Sequence, residues 1–402
     1  LHIPYPPRPT LTINIYFPQK HLAYEDMYLY LLVFMNILSI IVLAYWLRVY
    51  ILETRRLPRL IDEDAGPSTR VSIIIPVRNE ESRIGKCLDS VLRQRGVVSQ
   101  VIVVDDSSVD DTRKVVEKYS RRYNVKLIEA AGRPLGSIGK SWSCYVGYRS
   151  AENDYLLFID ADTVFLDDMV LSKAIKTLES LRLDYLSLFP KFEMDGTLVS
   201  LVYPLYINTV ILFERFSAVN REGSSKCFLL GAFSLFRKKV YESAGGHMSV
   251  LGEVAEDKVM GERLRALGFS FKLFNGSEHV KTLVEPWVKD IWFSVVRFMA
   301  GLKDKIKITT FFLVFYLIIF IPPLISLLLI PNPLLWLPIL PISLSIVLNS
   351  LELSRNGRSV IHSIGYPLAV LLVISVLIYV LFSVMRGRIE FKWKDRRYSV
   401  KT

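Results

Sequence analysis

Two short acidic pairs carry most of the chemistry open to this chain. Asp160-Ala161-Asp162 closes the apolar run Tyr155-Leu156-Leu157-Phe158-Ile159, and Glu256-Asp257 opens an amphipathic stretch. Carboxylates on alternate residues leaving a strand offer hard oxygen ligands to Mg²⁺ or Mn²⁺, ions that accompany diphosphates. Asp160 and Asp162 are therefore the candidate metal ligands. An acid in the first turn of a helix commonly just complements the helix dipole. Facing a bound leaving group, it can instead take the proton of an attacking hydroxyl. That role falls to Asp257, with Glu256 beside it raising its pKa or holding the acceptor.

Such groups need a scaffold that brings them together, and the pattern between residues 70 and 300 supplies one. Residues 71–76 and 100–104 are short β-branched runs of the kind that form buried parallel strands. Between them Ile84, Cys87, Leu88, Val91 and Leu92 recur at helical spacing. Residues 125–128, 155–159 and 184–189 repeat the strand pattern, and residues 141–151 read as a helix. Alternation of this kind predicts an α/β domain with a mostly parallel, Rossmann-like sheet. Ligands of such sheets sit beyond the carboxyl ends of the strands. Pro76-Val77-Arg78-Asn79-Glu80, Asp105-Asp106-Ser107-Ser108 and Asp160-Ala161-Asp162 all fall at such ends.

Glu80, Asp105 and Asp106 can accept hydrogen bonds from base N–H groups and ribose hydroxyls. Lys140, after Gly139 at a helix start, can meet a phosphate or sugar oxygen. The loop with Gly132 and Gly136 is flexible but lacks the strand–loop–helix setting of a Walker A motif. Cys87, Cys144 and Cys227 have no CxxC spacing, which suggests neither zinc nor a disulfide framework. That fits a reducing, cytoplasmic face.

The segments IIIPVRNEE, VVDDSSVDDT, GKSWSCYVGYRSA, DYLLFIDADT, LLGAFSLFRKKVYESAGG and VAEDKVMGERLRALG resemble, as a set, the family-2 inverting glycosyltransferases of GT-A fold. The resemblance implies that Pro76, Arg78, Glu80 and Asp106 line the base and ribose pocket. It implies that Asp160 and Asp162, with Ala161 between them, hold metal and diphosphate, and that Asp257 is the base. Members usually carry a small or aromatic residue where Arg78 stands. The GK-S-W segment and the GGH that includes His247 are similar to membrane enzymes that glycosylate carotenoids, hopanoids and related lipids. Processive synthases carry QxxRW; here the stretch is Ser294-Val295-Val296-Arg297-Phe298, which argues against polymer synthesis and leaves Arg297 to touch the diphosphate.

The 402 residues are 51% apolar and carry a net charge of +11. Arg55, Arg56 and Arg59, and Lys303, Lys305 and Lys307, flank apolar spans, so the basic balance favours lipid headgroups over nucleic acid. Residues 28–52, 309–330, 333–351 and 365–385 are candidate spans. The third contains Pro333, Pro338 and Pro341 and is expected to be kinked or re-entrant. The flanking charges place the catalytic domain in the cytoplasm. Three full carboxyl-terminal spans would put Arg386, Arg388, Lys392, Lys394, Arg396 and Arg397 outside, so the Pro-rich segment is expected not to cross. Residues 198–213, broken by Pro204 and Asn208, are too short to span. They read as an interfacial guide for a lipid or as a helix packed on the sheet.

The organisation expected is an unassigned tail (1–26), a transmembrane helix (27–52), a linker (53–69) and a GT-A domain (70–286). An interfacial region with Trp287, Trp292 and Phe293 (287–307), two or three spans (308–386) and a basic tail (387–402) complete it. The function expected is metal-dependent transfer of one sugar, with inversion, from a nucleotide sugar to a lipid in the cell membrane. A UDP-sugar is favoured and a GDP-sugar is the alternative. A polyprenyl-phosphate glycosyltransferase is the rival within the class, ahead of a processive synthase. A non-catalytic scaffold and a sugar nucleotidylyltransferase are disfavoured: the acidic positions are filled, and no GGxGTR-type loop follows the first strand.

Overall fold

The structure, a computed structural model, describes residues 20–401 apart from Pro67, Pro286, Trp287 and Lys303. Residues 1–19 of the unassigned tail, and Trp287 and Lys303 of the interfacial region, therefore lie outside the described residues.

A long helix, α1 (Lys20–Arg56), leads into the domain and begins before the span expected from residue 27. Then come β1 (Arg70–Val77), α2 (Ile84–Leu92), β2 (Val98–Asp105), α3 (Thr112–Arg122), β3 (Val125–Glu129), α4 (Gly139–Arg149) and β4 (Tyr155–Phe158). After the acidic pair the chain forms β5 (Thr163–Phe165), α5 (Val170–Ser180), β6 (Tyr185–Phe189), β7 (Lys191–Met194), α6 (Thr197–Glu214) and the short α7 (Phe216–Val219). It continues through β8 (Ser234–Arg237), α8 (Lys238–Ser243), α9 (Glu256–Ala266), β9 (Phe271–Asn275), β10 (Val280–Val284) and α10 (Val288–Ala300). The remainder is α11 (Lys305–Leu329), α12 (Trp336–Arg355), α13 (Tyr366–Met385) and a hairpin of β11 (Arg388–Trp393) and β12 (Arg396–Lys401).

The main sheet has the order β3-β2-β1-β4-β8-β6-β9. β1 pairs in parallel with both β2 and β4, while β8 runs antiparallel between β4 and β6. Side chains of a strand alternate between faces, and β1 and β2 divide accordingly. Val71, Ile73, Ile75, Val101 and Val103 join Ile84, Leu88 and Val116 in one layer; Ile74, Ile102 and Val104 join Cys144 and Tyr241 in the other. Helix α4 reaches that second layer through Gly147, where a Cβ would stand 2.4 Å from Ile74 Cγ2. A smaller sheet, β5-β10-β7, lies beside the acidic pair.

Helices α1, α11 and α12 pack on one another. Asn36 Nδ2 donates to Ser326 Oγ (2.7 Å) between α1 and α11, and Tyr50 Oη donates to Glu352 Oε2 (2.8 Å) between α1 and α12. Their ends far from the domain meet through Leu32, Ile330 and Leu337. The other end of α12 returns to the domain, where Asn356 Oδ1 accepts from Phe192 N (2.6 Å) and Arg355 donates to Pro190 O (3.2 Å). The Pro-rich segment is thus a continuous helix that runs the depth of the bundle, against expectation. Pro338 falls in its first turn, where N–H groups have no intrahelical partner to lose.

Helix α6 is also continuous through Pro204. It packs on α1, α12 and α13, with Trp46 Nε1 donating to Asn208 O (3.0 Å). So it is neither broken nor laid on the sheet. Helix α13 starts with Gly365 against Leu201 of α6 and ends where Tyr379 Oη donates to Glu390 O (2.8 Å) in the hairpin. Five helices among the described residues are long and apolar enough to cross a membrane.

Candidate active site

Strand β4 ends at Phe158, and Asp160 N then donates to Gly231 O (2.8 Å), so the acidic pair turns out of the sheet beside the loop before β8. Thr163 N donates back to Asp160 O (3.0 Å) and closes the turn. Gly231 permits this approach: a Cβ there would lie 2.2 Å from Asp160 Oδ2 and 2.6 Å from Lys140 Nζ.

Lys140, in the first turn of α4, joins the two acidic pairs. Its Nζ lies 2.9 Å from Asp160 Oδ1, 2.9 Å from Glu256 Oε1 and 3.3 Å from Asp257 Oδ2. These carboxylates reach it from the end of β4 and the start of α9. They face a cavity of about 290 Å³ also lined by Pro76, Arg78, Glu80, Asp106, Ala161, Asp162 and Arg297. A second cavity, of about 600 Å³, shares Asp160, Asp162 and Arg297 and extends to Tyr203 of α6 and Phe293 of α10.

Electrostatics separate the groups. Burial pushes Asp257 up to about 7; Lys140 pulls it down, and Glu256 and Asp160 push it further up. Burial likewise pushes Asp162 up to about 7, reinforced by Asp160 and Glu80. Glu80 is raised by burial against the pull of Lys394 and Arg83. Asp162 Oδ1 is buried without a hydrogen-bond partner. Such an orphaned carboxylate oxygen in a cavity fits a hard cation. Among the described residues no group of three or more His, Cys, Asp or Glu forms a ready cage. A site built on Asp160 and Asp162 alone would leave coordination positions for diphosphate oxygens and water.

One expected contact lies elsewhere. Asp105 does not line the cavity; its Oδ1 accepts from Ser108 N (3.1 Å), fixing the turn after β2. Arg78 is in the cavity wall, but it works on backbone: it donates to Ser107 O (2.8 Å) and to Lys394 O (3.0 Å). His247 is buried on Tyr241 Oη (2.9 Å), its pKa pushed down to about 3 by burial and then by Lys140. His279 pairs with Asp167 (3.2 Å).

Sequence reasoning missed the wall contributed by the carboxyl-terminal hairpin, including Phe391, Lys394 and Tyr398. The signal was present. Arg388–Trp393 alternates polar and apolar residues, Lys394-Asp395 is polar, and alternation resumes at Tyr398.

A mostly parallel α/β sheet with a small accessory sheet and an acidic pair at the end of β4 is the GT-A arrangement of a glycosyltransferase. Residues 72–245 match the model of glycosyl transferase family 2, and the domain they form belongs to that family. The chain is similar to 4,4'-diaponeurosporenoate glycosyltransferase of Staphylococcus aureus (strain USA300), 27% identical over 245 residues, covering 55% of this chain and 60% of the relative. The protein of strain bovine RF122 / ET3-1 is 28% identical over 244 residues, with the same coverage. The chain thus spans about 60% of the length of these curated relatives. Mannosyltransferase PcManGT from Pyrobaculum calidifontis, solved with GDP-Man and Mn2+, shares the fold with a TM-score of 0.52 at 14% identity, over 87% of this chain and 99% of that one.

Proposed function

We propose that this protein moves one sugar from a nucleotide-sugar donor to a lipid acceptor, with inversion, at the cytoplasmic surface of a membrane. The observation that carries the reading is the shared ammonium of Lys140, which places Asp160 and Asp257 on one cavity. Glu80 and Asp106 receive the base and ribose of a UDP-sugar, or of a GDP-sugar like the one bound by the Pyrobaculum neighbour. Asp160 and Asp162 would hold Mg²⁺ or Mn²⁺, whose chemistry is to neutralise the leaving diphosphate. Lys140 and Arg297 add positive charge on the same side. Asp257, across the Lys140 ammonium from Asp160, takes the acceptor proton, and a single displacement inverts the anomeric centre.

The acceptor enters through the larger cavity, where Phe192, Tyr203, Ile291 and Phe293 make an apolar patch among charged residues such as Arg83, Glu285, Lys289 and Asp290. This cavity meets the Asp257 cavity at Asp160, Asp162 and Arg297. The patch belongs to elements continuous with the membrane helices. The name of the staphylococcal relatives, 4,4'-diaponeurosporenoate glycosyltransferase, supports a lipid acceptor.

The chain reads as multi-pass. Helix α11 leaves the domain and α12 returns to it, so α1, α11 and α12 are the crossing helices. Both ends of α6 and of α13 attach to the domain side, so these two lie along the membrane surface.

The test is to incubate membranes containing the protein with a panel of nucleotide sugars and Mn²⁺, and to identify the labelled lipid by mass spectrometry. No transfer from any UDP- or GDP-sugar would remove the reading. An acceptor phosphate or carboxylate has no proton to lose, and Asp257→Asn separates that case: hydroxyl transfer collapses while transfer to an anion survives.

A further inference from the structure

The carboxyl-terminal hairpin sits where the donor's nucleoside would go. Its foot is fixed in the apolar core: Ile389 is fully buried and Phe391 stacks on Tyr398 with ring centroids 5.5 Å apart. Its tip is held in another way. Lys394 pairs with Glu80, and Arg396 pairs with the carboxylate of Asp106 and donates to its carbonyl (3.2 Å). Arg78 Nε donates to Lys394 O (3.0 Å), and Asn79 Nδ2 donates to Asp395 Oδ2 (3.0 Å).

The turn itself is a poor choice for a free-standing hairpin. Lys394 and Asp395 have φ of 46° and 64°. A two-residue turn of this hand favours Asn and Gly, and a lysine there is strained. Strain of this kind persists only where surrounding contacts hold it, and it gathers at moving parts of sites. The receiving surface is built alike, since Asn79 and Ser107 have φ of 50° and 58°.

Glu80 and Asp106 are nearly inaccessible, at 7% and 5% exposure. While Lys394 and Arg396 cover them, neither carboxylate can accept from a base or a ribose. Donor entry therefore needs the tip to leave, and the contacts that oppose this are polar and charged, whereas the foot is apolar. We propose that the hairpin is a lid on the donor pocket, latched on Glu80 and Asp106 through Lys394 and Arg396, and that it lifts to admit the nucleotide. The proposal rests on the reading of this cavity as the donor site.

Binding of UDP and of GDP, each with Mn²⁺, to the detergent-solubilised full chain tests it by calorimetry. In an Asn79→Cys, Asp395→Cys variant, a short bifunctional methanethiosulfonate ties the tip down, and a reductant releases it. Cys87, Cys144 and Cys227 are buried and shielded from the reagent. Tying the tip is expected to weaken nucleotide binding at least tenfold and reduction to restore it. Equal binding in the tied and released states overturns the lid. If the unsubstituted protein binds neither nucleotide, the donor reading fails and the lid falls with it, a result distinct from the previous one. Where the double-cysteine variant does not fold, Lys394→Gln with Arg396→Gln decides. Removing the competing cations should tighten nucleotide binding several-fold, and unchanged or weaker binding overturns the lid.

Discussion

Asp160 and Asp257 meet at one ammonium: Lys140 Nζ is 2.9 Å from the first and 3.3 Å from the second. Opposite charge in a partly buried cluster holds the two carboxylates at a fixed separation without metal or substrate. On the proposed reading, a bound diphosphate would compete with Asp160 for Lys140, which also has Glu256 as a partner at 2.9 Å. The site is preorganised around a cation that has alternatives.

Replacing Asp257 with Asn keeps the size of the side chain and removes its basicity. With a hydroxyl acceptor, kcat should fall by about 10²–10⁴-fold, the usual worth of a general base. Donor affinity should hold on the proposed reading, in which Asp257 acts on the acceptor and Glu80 and Asp106 receive the nucleoside. Single-turnover rates measured beside nucleotide binding check this; an equal loss in both would place Asp257 on the donor instead.

The acid limb of activity follows from the same carboxylate. Asp257 is pushed up to about 7 by burial, so it is the ionised, working form that is lost as pH falls. Below pH 7, kcat/KM should drop by about tenfold per unit. Lys140 pulls the value down, so Lys140→Gln should move the midpoint upward. The stability trend runs the other way. The folded state holds a proton on Asp257 that the unfolded chain releases near pH 4, so unfolding free energy falls as pH rises from about 4 to 7. A kcat/KM profile flat from pH 5.5 to 8 would exclude Asp257 as the base.

Much of this was legible in the residues because parallel strands advertise themselves. Arg70–Val77, Val98–Asp105 and Tyr155–Phe158 are apolar on both faces, and their polar ends locate the crevice. Asp105 and Asp106 illustrate the limit. Neighbouring residues at a strand end point to opposite sides, and only coordinates tell which faces the cavity and which caps the turn. Helix α6 looked broken because Pro204 and Asn208 are poor helix formers, yet neighbours compensate. Asn208 Nδ2 donates to Leu348 O (3.3 Å), and Asn208 O accepts from Trp46. Residues 387–402 are expected from sequence only as a basic tail, whereas Arg396 and Lys394 are spent on buried carboxylates that follow strands far earlier in the chain. Long-range pairing of that kind leaves no local periodicity to read.

Gly231 is a position where a single methyl group would strike the acidic pair directly. Gly231→Ala puts a carbon 2.2 Å from Asp160 Oδ2 and 2.6 Å from Lys140 Nζ, so the carboxylate must swing away. Mn²⁺ affinity, read by electron paramagnetic resonance, should fall by at least tenfold, with helical content retained. Wild-type affinity in this variant would mean that Asp160 is not a ligand.

The side on which the chain ends follows from the hairpin's contacts. Because Arg396 reaches Asp106, residues 388–401 share a compartment with the catalytic domain, whatever the hydropathy of α13. A Cys introduced at exposed Ser399 and one at exposed Glu222 should react with a membrane-impermeant maleimide in the same vesicle orientation. A Cys at exposed Pro331, between α11 and α12, should react only in the opposite orientation. On the topology proposed above the basis is parity: α11 and α12 would cross and restore the original side, and α13 would add no crossing. Labelling of Ser399→Cys together with Pro331→Cys, and apart from Glu222→Cys, would make α13 a crossing helix and pull the hairpin off the site.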